Sequence, residues 1–142
     1  MKVNQNPIPP HLVETGESFE QKFKPVLSFE GWCLAMLKYS KATDRNFFHQ
    51  VERHNQTNEV FILTNGKAEL IICENGDVPG HAYIINMKLN VAYNIPPSVW
   101  HHVILTADAH IIIFEKSDTS RENSNYYELD SETQQLIKNS LG

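Results

Sequence analysis

A chain of 142 residues with 41% hydrophobic and 20% charged side chains has the composition of one ordinary globular domain with a real core, not of a disordered segment. Its net charge of −5, with Lys and Arg scattered along the sequence, gives no reason to expect a nucleic-acid partner. No apolar run approaches the roughly 20 residues of a membrane-spanning helix, and Met1–Pro7 lacks the apolar centre of a secretory signal, so a cytoplasmic location is expected.

Residues 1 to about 20 are polar and punctuated by Pro7, Pro9 and Pro10, and read as an extended N-terminal arm. The rest, 21–142, reads as a single domain with its core at about 25–115. Short β-type runs dominate that core. Trp32–Leu37 is the first run and Val60–Leu63 the second. Asn65-Gly66 predicts a tight hairpin, because both central residues of such a turn take positive φ. Lys67–Cys73 then returns, and Asn75-Gly76-Asp77 supplies the next reversal. Tyr83–Met87, Val91–Ile95, His102–Leu105 and His110–Phe114 follow, giving about eight closely spaced strands with no long helical pattern between them. The fold class is therefore all-β, an antiparallel jelly-roll barrel of two sheets. Asp118–Asn125 reads as a solvated polar loop leaving the barrel. Asp130 or Ser131 can cap a short C-terminal helix over Glu132–Leu141, with Leu136, Ile137 and Leu141 facing the barrel or a partner. Cys33 and Cys73 lie inside apolar runs with no CxxC pair, so neither structural zinc nor a disulfide is expected.

Two spacings carry the chemistry. The first is Asn46, five residues, Glu52-x-His54, four residues, Glu59, six residues, Gly66. The second, after 23 intervening residues, is Asn90, five residues, Pro96-x-Ser98, two residues, His101, three residues, Leu105. In register, they resemble the two motifs of the cupin superfamily: Gly, five residues, His-x-His, three or four residues, Glu, six residues, Gly; and Gly, five residues, Pro-x-Gly, two residues, His, three residues, Asn. The resemblance covers about residues 25–115 and implies a double-stranded β-helix barrel. Asn46, Asn90 and Ser98 stand where the motifs have turn glycines, and Asn tolerates the left-handed backbone best of the non-glycine residues. Glu52 stands where metal-binding cupins have their first histidine ligand.

The geometry of strands points to the same cluster. Glu52 and His54, two apart, share a face, Glu59 opens the following strand, and His101 follows a proline-defined turn. Two imidazoles and a carboxylate suffice for a catalytic Fe, Mn, Ni or Zn site with open positions, and Glu52 adds a fourth ligand. The metal set is then Glu52, His54, Glu59 and His101, with His54, Glu59 and His101 the catalytic candidates. A pocket that has lost its metal is the alternative, its acids held by a shared proton or by His54 and His101, with one carboxyl raised in pKa. His102 should face away from His101 unless the register slips. Trp100 reads as packing and Arg53 as solvated. His49, His81 and His110 fit no ligand spacing, and Tyr83, Tyr93 and Glu115 are weaker pocket candidates.

Within the superfamily, Pro96-Pro97-Ser98-Val99-Trp100-His101 looks like the second motif of small single-domain RmlC-like cupins. These include the sugar-nucleotide ketoisomerases and epimerases and the ureidoglycolate-lyase-like cupins. The resemblance implies a metal-dependent lyase or isomerase acting on a small polar carbonyl or carboxylate compound, with a homodimer as its assembly. No Arg or Lys concentration near the motifs suits a diphosphate. A non-catalytic ligand-binding or sensing cupin, and a structural dimer module built from the arm and the helix, remain open at this point.

Overall fold

Alternation of buried and exposed positions runs through most strands, as a sheet with one buried face requires. The computed structural model describes all 142 residues, with ten strands and one α-helix. The strands are β1 (Phe23–Phe29), β2 (Trp32–Lys38), β3 (Gln50–His54), β4 (Glu59–Asn65), β5 (Ala68–Ile72), β6 (Tyr83–Asn86), β7 (Ala92–Ile95), β8 (His101–Leu105), β9 (His110–Lys116) and β10 (Ser124–Glu128), followed by α1 (Ser131–Ser140). They form two five-stranded antiparallel sheets, ordered β1-β2-β9-β4-β7 and β10-β3-β8-β5-β6. This is the all-β jelly roll expected, with β1, β3 and β10 added to the seven runs picked out above. None of the helices is long and apolar enough to cross a membrane.

The inner faces of the sheets meet in the larger core. Cys33, Ala35 and Leu37 from β2, Phe61 and Leu63 from β4, and Ile111 and Ile113 from β9 face Leu70 from β5 and Val103 and Leu105 from β8. A smaller core lies on the outer face of the second sheet, where Val51, Ile71, Trp100 and Ile104 are covered by Phe48, Leu129, Ile137 and Leu141. The chain begins α1 at Asp130, whose carboxylate accepts from the Thr133 N–H at 2.7 Å. Leu136 is 62% exposed, contrary to expectation. Adjacent residues point about 100° apart on a helix, so Ile137 and Leu141, four apart, take the buried face and Leu136 does not. Both cysteines are free and buried, one in each core.

The tight hairpin expected at Asn65-Gly66 does not form. β4 and β5 belong to different sheets, so the chain crosses over there rather than folding back. Gly66 is nonetheless required, because it takes φ +73° and a Cβ would lie 2.6 Å from the Ala109 Cα. The two-residue hairpin sits instead between β1 and β2, where Phe29 pairs with Trp32 and Glu30 and Gly31 take φ +46° and +81°. Glu is a poor occupant of that first position, which is why the turn escapes a reading based on Asn-Gly and Asp-Gly. Glu30→Asn should therefore raise stability by about 0.5–1 kcal/mol, read as a rise in denaturation midpoint at unchanged slope.

At the other turns, Asn90 (φ +61°) and Ser98 (φ +67°) adopt the left-handed backbone their motif positions imply, whereas Asn46 does not. The Asn46 N–H is instead taken by the Asp44 carboxylate at 2.7 Å. Ser98 is held in its conformation by bonds to the His54 carbonyl and the Asn55 side chain.

Candidate functional site

β3 ends, and β4 and β8 begin, at one mouth of the barrel, and Glu52 pairs directly with His101 across β3 and β8. Four inward side chains meet there. His54 Nε2 lies 2.9 Å from Glu59 Oε2 and 4.0 Å from Glu52 Oε1, and His101 Nε2 lies 3.4 Å from Glu59 Oε2. Glu59 and His101 are almost fully buried. Glu115, at the end of β9, joins His54 and Glu59 in a second group of ligand atoms that overlaps the Glu52, His54 and His101 group. Glu115 thus belongs to the pocket. Tyr83, on an edge strand, is exposed, and the Tyr93 hydroxyl is engaged by the Lys88 N–H away from it.

The ring orientations follow from the partners. His101 Nδ1 faces the Val99 carbonyl at 2.8 Å, and a carbonyl only accepts, so Nδ1 carries the proton and Nε2 is left facing Glu59. His54 Nδ1 is tied to Ser124 Oγ at 2.7 Å. Such outer contacts orient imidazoles for ligation. Neither Glu59 Oε2 nor His101 Nε2 has a hydrogen-bond partner of acceptable geometry, although both are buried. His102 points the other way. It stacks on Phe48 and donates from Nε2 to the Ala42 carbonyl, with its edge against the cavity, so the register holds and His101 is the inward residue.

The charges are strongly coupled. Burial alone would raise the Glu59 carboxyl, but the two imidazoles outweigh it and hold its pKa at about 2. Burial opposes protonation of His54 and His101, yet Glu59 and Glu52 together raise both imidazoles above their ordinary value. Glu52 is raised chiefly by burial, with repulsion from Glu59 a lesser contribution, so the raised carboxyl expected in the pocket is a desolvation effect first. Glu115 is raised to about 7, again by burial and then by Glu59. The unfolded chain therefore releases the Glu115 proton above about 4.5 while the folded chain keeps it until about 7, so stability falls with rising pH across that window. In chelator, Glu115→Gln and wild type should melt alike below pH ~4.5, and the variant should melt higher by pH ~7, a divergence that melting curves across the range would read.

The cluster forms one wall of a cavity of about 490 Å³, a volume suited to a small molecule. Phe61, Val103 and Ile113 line its floor, and Gln50, Ser124, Tyr126 and Arg121 its side. Arg121 and Ser124 come from the stretch expected to be a solvated exit, and Tyr126 follows it directly. Ser120–Asn123 instead forms a short turn locked by Ser120 and Asn123, and β10 then pairs with β3. The alternation Ser124-x-Tyr126 was the available signal, masked by the polar residues around it. Arg53 is not free in solvent either. Its guanidinium lies 4.5 Å above the Trp100 ring and bonds Asn125 and the Gly76 carbonyl. His49 pairs with Glu128 at the surface, His81 faces Glu74, and His110 lies outside the site.

No protein-family model matches the sequence, and a search of curated proteins gives no match. Solved structures with similar folds include a cupin-2 domain containing protein from Shewanella frigidimarina, at 18% identity over 75% of this chain and 86% of that one, TM-score 0.50. Pac13 from Streptomyces, a nucleoside dehydratase also solved with uridine, is similar at 10% identity over 85% of this chain and 92% of its own, TM-score 0.57. Hydroquinone 1,2-dioxygenase PnpCD, solved with Fe3+, is similar at 12% identity over 66% of this chain and 26% of its own, TM-score 0.51. These likenesses establish the fold, a cupin-type double-sheet barrel.

Proposed function

We propose that this cupin barrel is a small-molecule-binding protein whose Glu52, His54, Glu59 and His101 hold a divalent Fe, Mn, Ni or Zn ion, and that it acts as a lyase or isomerase on a small polar carbonyl or carboxylate compound. One observation carries the reading. Glu59 Oε2 and His101 Nε2 are buried, face one another at 3.4 Å and have no hydrogen-bond partner. Buried polar atoms left this way are costly unless a further group engages both, and a mixed imidazole and carboxylate donor set suits a first-row cation. When bound, such an ion supplies Lewis-acid polarisation of a substrate oxygen.

The chain's own groups would supply the rest. Val99 and Ser124 fix the imidazoles so that their Nε2 atoms converge. Glu115, whose carboxyl burial holds high in the metal-free protein and which lines the cavity, can hold a proton near a bound carbonyl and release it. The apolar floor of Phe61, Val103 and Ile113 lowers the polarity around that exchange. Exposed Phe19, Phe23, Phe29 and Trp32, on the arm and the β1–β2 edge, support a homodimer as the assembly. A cytoplasmic location goes with the reading.

A second reading has its own support. His54 Nε2 and Glu59 Oε2, at 2.9 Å, are close enough for an ion pair to close the site of a non-catalytic binding or sensing protein without metal. Elemental analysis of protein purified without chelator separates the two. Stoichiometric iron, manganese, nickel or zinc is the expected result, and metal-free protein that takes up none of them on titration rejects the first reading.

A further inference from the structure

The chain has three arginines, and two are used structurally. Arg45 bonds the carbonyls of Gly142 and Lys138, and Arg53 bonds Asn125 and Gly76 while covering Trp100. Arg121 differs. Its guanidinium lies 4.6 Å above the Tyr126 ring, lines the cavity, and makes no hydrogen bond or ion pair. Its backbone is fixed all the same. Ser120 Oγ accepts from the Glu122 N–H at 3.2 Å, Asn123 Oδ1 accepts from the Ser120 N–H at 2.8 Å, and Asn123 Nδ2 donates to the Asp118 carbonyl at 3.0 Å. The result is a charged, planar fork on a rigid turn, braced by an aromatic face and left with its donors open. Such a fork matches the two oxygens of a carboxylate or the oxygens of a phosphate.

The same cavity contains Glu52, Glu59 and Glu115, and the other cation on its wall, Lys22, is already paired with Glu20 at 3.2 Å. Arg121 is thus the one open cation on the wall outside the histidine cluster, and a single guanidinium suits a single carboxylate better than a phosphate dianion or a diphosphate.

We propose that Arg121 is a specificity residue that receives the carboxylate of a small monoanionic substrate at the cavity wall, leaving the substrate's oxygen-bearing carbon for the histidine cluster. This rests on the small-molecule reading above and narrows its substrate class. A polar acid of about the size of a sugar acid fits the volume.

The probes are glucuronate, glucose and glucose 6-phosphate, which share a ring and carry a carboxylate, a hydroxymethyl group and a phosphorylated hydroxymethyl group at the same ring carbon. A second set pairs small hydroxy acids with their amides. Affinities are measured by calorimetry on the full chain, after incubation with iron, manganese, nickel or zinc, and on Arg121→Gln and Arg121→Lys treated alike, with metal content determined for each. Wild type should bind an acid at least about tenfold more tightly than its neutral partner, as a charge-assisted hydrogen bond implies. Arg121→Gln should lose that preference, Arg121→Lys should keep part of it, and both should keep wild-type metal content. The proposal is overturned if no acid outcompetes its neutral partner, if Arg121→Gln keeps the preference, or if glucose 6-phosphate binds more tightly than glucuronate. Wild type that prefers acids but holds no metal would reject the metalloenzyme reading while leaving the carboxylate site standing. Bound metal without acid preference would do the reverse.

Discussion

His101→Ala should lose bound first-row metal altogether, with affinity in titrations falling by more than the roughly 10–100-fold typical of losing an outer-shell contact. The imidazole is buried, its Nδ1 is committed to the Val99 carbonyl, and its Nε2 is open toward Glu59, so its loss leaves a single imidazole, His54, among the converging ligand atoms. Metal loading is then readable as stability. At a hundredfold excess over Kd, wild type should gain about 2.7 kcal/mol on adding metal, or about 5–10 °C in Tm for a chain of this size. His101→Ala should gain almost nothing. The variant also relieves the metal-free protein of one partner of Glu59, so that carboxyl should rise from about 2. Stability held by the ionised carboxylate is present above its unfolded pKa and disappears as pH falls through the folded one, so the acid limb of the variant's profile should move to higher pH. Equal metal-induced shifts in wild type and variant would remove His101 from the ligand set.

Trp100→Ala should cost about 3–5 kcal/mol in chemical denaturation, the largest loss expected from any single truncation outside the main core. The ring is 2% exposed, its Nε1 donates to the Gly76 carbonyl at 2.9 Å, and it packs edge-on against Tyr127 beneath the Arg53 guanidinium. Removal leaves a cavity between the second sheet and the segment running into α1, and takes away the ring on which the Arg53 guanidinium rests. Trp100→Phe, which keeps the ring but loses the donor, should cost roughly 1–2 kcal/mol. A loss under about 1 kcal/mol for the alanine variant would show that the outer core collapses around the gap.

Much of the fold could be read from the chain because apolar alternation and turn residues act locally. β2, β4 and β5 fall where Trp32–Leu37, Val60–Leu63 and Lys67–Cys73 lie. What was not legible depends on partners distant in sequence. Asn65-Gly66 signals a reversal, yet whether β4 pairs with β5 or crosses to the other sheet is decided by β9 and β7. β10 is polar because its inward residues face a cavity rather than a core, so alternation of apolar residues could not reveal it. The convergence of Glu52, His54, Glu59 and His101 was suggested by their spacing. Glu115 and Arg121 reach the same cavity from segments with no motif of their own, and only the pairing of β9 with β4 and of β10 with β3 brings them there.

The division of the cluster between sheets has a mechanical consequence. Glu59 and Glu115 belong to the sheet of β4 and β9, and both histidines to the sheet of β3 and β8. Opposite charges thus bridge the seam at one end of the barrel, while apolar side chains such as Leu63, Ala68, Leu105 and Ile111 fill the other. Breathing of the mouth will answer to protons and to whatever occupies the cavity, and breathing of the far end will answer to temperature. Amide exchange at the two ends of β4 should then respond to different variables in the same molecule.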